Sequence, residues 1–178
     1  MTAEHQSPSK THFDLGATLG VLLLRAWLAM RAIYAGIEKY AGTASSSAPV
    51  SIEGAVNSYG LTEETTSKVY SFANYHGIPK PLYEKFLGEP LLPAFGLQIY
   101  DQILGPAFIA LGLALLFGFA TRCTLFAMGL LYTSLTLGLI LINESAGVAW
   151  LAIHVALIAL MLFQIKHNRF EIAGKWKL

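Results

Sequence analysis

Four long apolar runs determine the medium in which this chain can fold: Leu15–Gly36, Ala94–Phe119, Thr124–Ile142 and Gly147–Ile165. A helix of about 20 residues crosses the roughly 30 Å hydrocarbon core of a bilayer, where every backbone N–H and C=O must be bonded within the protein. Composition agrees, since only 13% of residues are charged against about 25% in soluble domains. The expected fold class is all-α: an integral membrane four-helix bundle with a long, partly helical extracytoplasmic loop between helices one and two.

The connections set the topology. The turns Ala120–Cys123 and Asn143–Ala146 are short, which makes spans two, three and four antiparallel neighbours. Basic residues near span ends orient the bundle. Lys10, Arg122, Lys166, Arg169, Lys175 and Lys177 fall on one side; Lys39, Lys68, Lys80 and Lys85 fall on the other, among many glutamates. The expected arrangement is a single membrane domain in the cytoplasmic (inner) membrane with both termini cytoplasmic. Residues 1–14 and 166–178 are then tails, 15–40, 94–119, 124–142 and 147–165 cross the membrane, and 41–93 form an extracytoplasmic cap. Within the cap, GTASSSAP reads as flexible, and Thr62-Glu63-Glu64 reads as a helix start followed by Val69, Phe72, Ala73 and His76 at helical spacing. PLYEKFLGEPLLP reads as a short amphipathic segment.

Several function classes fall away. A net charge of +1 gives no electrostatic basis for nucleic-acid binding. One cysteine, Cys123, cannot form an internal disulfide or a cysteine-based zinc or iron–sulfur site within the chain. The polar start MTAEHQSPSKTHFD has no signal-peptide form, so the first helix is expected to be retained. No second histidine faces His154 from another span, so haem is not expected, nor is a metal site.

Charged residues inside a membrane helix are costly and mark either helix pairing or a site. In the first span Trp27, Arg31, Tyr34 and Glu38 share one face, and Arg25, Ala29, Ala32, Gly36 and Lys39 share another made of small residues. Arg25 thus belongs to a packing seam. Span two contributes Gln98, Asp101 and Gln102 with Pro106 nearby, span three Thr133, Thr136 and Asn143, and span four Trp150 and His154 one turn apart. Arg31, Tyr34, Glu38, Gln98, Asp101, Trp150 and His154 all fall in the outer half. Two readings stand side by side. Arg31 can simply pair with Asp101 or Glu38, and His154 can bridge helices. Alternatively they form a quinone pocket: Arg31 and His154 donate to the head group, Tyr34, Trp150 and Gln98 line it, and Asp101 or Glu38 relays protons.

Short motifs carry a resemblance. LLLRAWLAMRAIYAGIEKY, with Arg25, Tyr34, Gly36 and Lys39, resembles the opening of the DoxX/DoxD family of membrane proteins. LGPAFIALGLALLFGFATR resembles the family's glycine-rich helix ending in Gly118, Thr121 and Arg122, and NRFEI resembles its closing Arg-aromatic segment without the usual Ser and Asp. Asp101 and Gln102 stand where relatives often carry glutamate. The resemblance implies a four-helix membrane subunit; in the DoxD-like branch, which the long loop fits, this is the small subunit of a thiosulfate:quinone oxidoreductase. Arg25, Lys39 and Arg122 would be structural. The expected function is therefore an integral membrane subunit of a quinone-linked oxidoreductase working with a membrane or extracytoplasmic partner. The other reading is a non-catalytic anchor or assembly subunit; a transporter is disfavoured because no internal repeat is evident.

Overall fold

The computed structural model describes residues 15–52, 55–56, 59 and 61–172. The tail expected over 1–14 and the end of the tail beyond residue 172 lie outside the described residues. Four helices are long and apolar enough to cross a membrane: α1 (Leu15–Ile37), α3 (Ala94–Phe117), α4 (Thr121–Leu141) and α5 (Ser145–Phe163). A lipid bilayer is the environment that such a bundle fits. Its outward side chains agree, with Leu23, Phe126, Leu130, Ile153 and Leu160 all exposed, as hydrocarbon requires and water would penalise.

The helix ends have local causes. Gly118 takes a left-handed conformation (φ 74°) and terminates α3 with amide bonds back to Ala114 and Leu115, the role for which glycine is favoured. Ala120 is also left-handed (φ 42°), and α4 begins at once, three residues before the apolar run does.

α1 and α3 approach closely along the small-residue seam. A methyl group at Gly112 would lie 3.0 Å from the Ala29 carbonyl, and one at Gly36 would lie 2.9 Å from the Gly105 carbonyl. Ala29 and Ala32 are fully buried there. Small faces permit this approach, which membrane helices use in place of a hydrophobic driving force. Leu28, Leu115, Leu125, Met128 and Met161 fill the rest of the core.

The long connection departs from expectation, and the fold is not all-α. GTASSSAP is not a flexible lead but part of strand β1 (Ala41–Pro49), and Thr62-Glu63-Glu64 opens strand β4 (Thr62–Tyr70) rather than a helix. The two pair antiparallel from Ala41↔Tyr70 to Pro49↔Thr62. The short strands β2 (Ser51–Ile52) and β3 (Ala55–Val56) continue the ribbon. Thr62, Thr65, Thr66, Val69 and Tyr70 are β-branched or aromatic, types that favour a strand, and this outweighs a three-residue start signal. The helical spacing from Val69 to His76 instead crosses a strand end and a 3-10 turn, Phe72–Asn74, capped by the Ser71 hydroxyl. The amphipathic segment does form a helix, α2 (Lys80–Leu87), with Phe86 buried.

At the opposite end of the bundle from this ribbon, three distant segments converge on Arg25. Its guanidinium donates to the Asn168 side chain at 2.9 Å, the Phe170 carbonyl at 2.5 Å and the Leu116 carbonyl at 3.2 Å. Asn168 in turn donates to the Thr121 hydroxyl at 3.1 Å, and the Thr121 amide donates to Glu171 at 3.0 Å. Arg25 is central in its apolar run, but the register of α1 against α3 brings it level with a helix end.

Candidate functional site

At the ribbon end, the four long helices diverge around a cavity of about 780 Å³. This is within the roughly 300–1,000 Å³ range of small-molecule pockets. α1 contributes Arg31 and Ala35, with Glu38 and Lys39 from the turn that follows it; α3 contributes Leu97, Tyr100, Leu104 and Phe108. α4 supplies Tyr132, Leu135 and Gly138, and α5 supplies Gly147, Trp150, Leu151 and His154. The walls are thus mostly apolar and aromatic, with a few polar groups.

The roof is His76–Pro79 with Leu82 and Phe86 of α2, and proline chemistry explains how it is fastened. Pro106 lacks an N–H, so the Gln102 carbonyl one turn earlier has no helical donor. The Tyr75 hydroxyl inserts there, donating to the carbonyls of Gln102 (2.9 Å) and Asp101 (2.6 Å) and accepting from the Gly105 amide (3.2 Å). Only glycine fits at 105, because a methyl group would meet the Tyr75 ring at 2.6 Å. Burial raises the Tyr75 phenol above its ordinary pKa, which keeps it a donor. The Ile78 amide donates to Asp101 Oδ1 at 2.6 Å, and the His76 amide donates to the Lys39 carbonyl at 2.8 Å. The roof is therefore bonded to both α1 and α3.

Asp101 and Glu38, expected as proton relays, are both engaged in holding the cap. Asp101 does not line the cavity; its carboxylate holds the roof. Glu38 lies at the rim and accepts from Lys68 Nζ and from the Tyr70 hydroxyl (2.9 Å), anchoring the base of the ribbon. The hydrogen bonds that Lys68 and Tyr70 donate to Glu38 raise both above their ordinary pKa values. Neither carboxylate pairs with Arg31.

Arg31 consequently lines the cavity with no ion-pair partner among the described residues. His154 is 6% exposed. Its Nδ1 meets the Trp150 carbonyl at 2.8 Å, and its ring stacks on Tyr132 at 5.1 Å, which in turn packs edge-on against Phe108. Nε2 is buried without a hydrogen-bond partner. Because a carbonyl can only accept, Nδ1 carries a proton, so in a neutral ring Nε2 is an acceptor. An orphaned polar atom at this depth costs about 1–3 kcal/mol, so it calls for a partner.

Of the remaining expected pocket residues, Trp150 lines the rim but is 66% exposed, whereas Tyr34 (52% exposed) and Gln98 lie outside the cavity. Thr133 and Thr136 bond back to carbonyls of their own helix at 2.8 Å and offer nothing to a ligand. Of the residues expected as structural, Arg25 holds the far-end network, Arg122 is exposed, and Lys39 lines the cavity. Phe108, Tyr132 and Tyr100 were not expected in the site; aromatic residues within an apolar run read as core.

Comparison with protein-family models, with curated proteins and with solved structures found no match. The likeness to DoxX/DoxD rests on the residues quoted for it alone.

Proposed function

We propose that this chain is an integral membrane subunit of a quinone-linked oxidoreductase, of the DoxX/DoxD kind, and that a quinone head group occupies the cavity. The observation that carries the reading is the buried, partnerless Nε2 of His154 in the same apolar cavity as an unpaired Arg31. The Phe108–Tyr132–His154 stack supplies an aromatic wall for a planar ring. In its neutral tautomer His154 accepts, so it suits the hydroxyl of the reduced quinol, with Arg31 donating to the second oxygen. The distribution of basic residues near the span ends supports an orientation with the ribbon outside a cytoplasmic membrane and both termini inside.

The anchor reading has its own support in the β1–β4 ribbon, which is exposed along all of β4 and along β1 from Thr43 to Pro49. A lone two-stranded ribbon is marginal in water, which favours an extracytoplasmic partner subunit that covers it. Both readings share that partner and differ in the ligand.

The test is quinone retained by the purified protein, extracted and quantified for the wild type and for Arg31→Ala and His154→Phe. Retention near one quinone per chain, lost in both variants while helicity is unchanged, is the expected result. No retained quinone, together with no binding of added quinone, overturns the reading in favour of the anchor.

A further inference from the structure

The charge balance around the cavity is incomplete. Arg31, Lys39 and Lys68 are cations here, Glu38 and Asp101 the carboxylates. Glu38 is bonded to Lys68, and Asp101 bonds the roof; neither Arg31 nor Lys39 has an ion-pair partner among the described residues. Three cations against two carboxylates leave one positive charge uncompensated, and the half-buried Arg31 lines the apolar cavity without an ion-pair partner among the described residues. A neutral ligand leaves that charge uncompensated.

A second demand comes from His154. Its Nε2 is an acceptor without a donor. A ligand that completes the site brings one negatively charged oxygen for Arg31 and one O–H for His154. A carboxylate supplies the first without the second, and an alcohol the second without the first. A singly ionised phosphate monoester supplies both.

The openings of the cavity say what is attached to that head group. The roof residues Ile78 and Phe86 are buried and close the ribbon side. Laterally, the lining includes Leu137 and Trp150, which are 59% and 66% exposed on helices that face lipid. A hydrocarbon chain can leave by that side into the bilayer.

We propose that the cavity binds a long-chain phosphate monoester in its monoanionic form, with the charged oxygen on Arg31, the P–OH donated to His154 Nε2 and the tail in the bilayer. This is a reading of the same cavity that competes with the quinone one, because it rests on charge and donor balance rather than on redox chemistry and the two ligands exclude one another there.

The test uses the full chain in a neutral detergent with Trp27 and Trp176 replaced by Phe, so that Trp150 reports. Brominated hexadecyl phosphate is titrated at pH 6, where about half of a phosphate monoester carries a single charge. Saturable quenching is expected. Arg31→Gln is expected to weaken it roughly tenfold, the scale of losing one charge-assisted bond. Arg31→Lys, which keeps the charge, retains most of the affinity and shows that the fold survives. His154→Phe weakens binding of the monoester but not of its methyl diester. Equal affinity for brominated hexadecanol, or an unchanged affinity in Arg31→Gln, overturns the proposal. Competition by inorganic phosphate at the same concentration overturns the membrane-borne tail. A brominated quinone of matched tail length is titrated in parallel. Quenching by the quinone alone overturns this inference and leaves the quinone reading standing, and quenching by the phosphate alone does the reverse.

Discussion

Arg25 and Asn168 are hydrogen-bonded at 2.9 Å across 143 positions of sequence, joining the first long helix to the segment that follows the last. The same guanidinium satisfies the carbonyls of Phe170 and Leu116, so one side chain ties α1, the end of α3 and the C-terminal segment. Replacing Arg25 with Ala strands these acceptors, and charged hydrogen bonds are worth about 1.5–3 kcal/mol each. Arg25→Ala is expected to lower stability by roughly 2–4 kcal/mol after partial rehydration at the bundle end. Lys in its place recovers less than half, lacking the fork. Thermal unfolding in detergent, followed by circular dichroism, measures both; wild-type stability in Arg25→Ala would show the network to be idle.

The Tyr75 hydroxyl fills the gap that Pro106 makes in α3. Tyr75→Phe is expected to cost about 1–3 kcal/mol for the unsatisfied carbonyl and to speed hydrogen exchange at the Gly105 and Ile78 amides. Exchange mass spectrometry over 75–106 reads it. Gly105→Ala gives the same phenotype by displacing the ring.

The base of the ribbon depends on pH in a defined sense. Lys68 and Tyr70 are both raised by their hydrogen bonds to Glu38. For each, the protonated form is favoured in the folded state. Their contribution is complete below the ordinary values, about 10.4 and 10, and is lost as pH rises through the raised ones. Limited proteolysis of the ribbon with an alkaline protease is expected to stay slow to about pH 10 and to accelerate above it. Glu38→Gln is expected to remove the step and to give faster cleavage already at pH 8. A wild-type profile without the step would count against this anchoring.

Orientation is testable with the single cysteine. Cys123 is exposed in the first turn of α4, at the bundle end away from the ribbon. A membrane-impermeant maleimide is expected to label it only after the cells are opened. In a Cys123→Ser background, Ser46→Cys in β1 is expected to label in intact cells. The opposite pattern would invert the proposed topology.

The helices were legible because length and hydropathy alone specify a membrane span, and the small face of α1 announced a packing seam, though not that α3 would fill it. The ribbon was not, since its pairs lie up to 29 residues apart (Ala41↔Tyr70) and Ser- and Thr-rich segments carry no periodicity of burial. Arg31 and His154 could be picked out because a polar group inside an apolar run stands out. Their surroundings could not. Whether Asp101 answers Arg31 or the roof depends on where His76–Pro79 folds back, and only the break at Pro106 hinted that a side chain would come to fill it. Lys39, read with the seam, reaches the cavity because α1 ends in a 3-10 turn at Glu38–Tyr40, which alters the angle between successive side chains.

The network around Arg25 also has an order in time. A chain is made from its N-terminus, so α1 exists long before residues 168–170. Throughout that interval its arginine is without the acceptors it holds in the finished protein. The nascent bundle must therefore carry an unsatisfied charge, held by water, lipid head groups or an insertion factor, until the last helix is in place. The first helix thus receives its arginine's partners from residues made long after it, and a chain truncated before Asn168 lacks them.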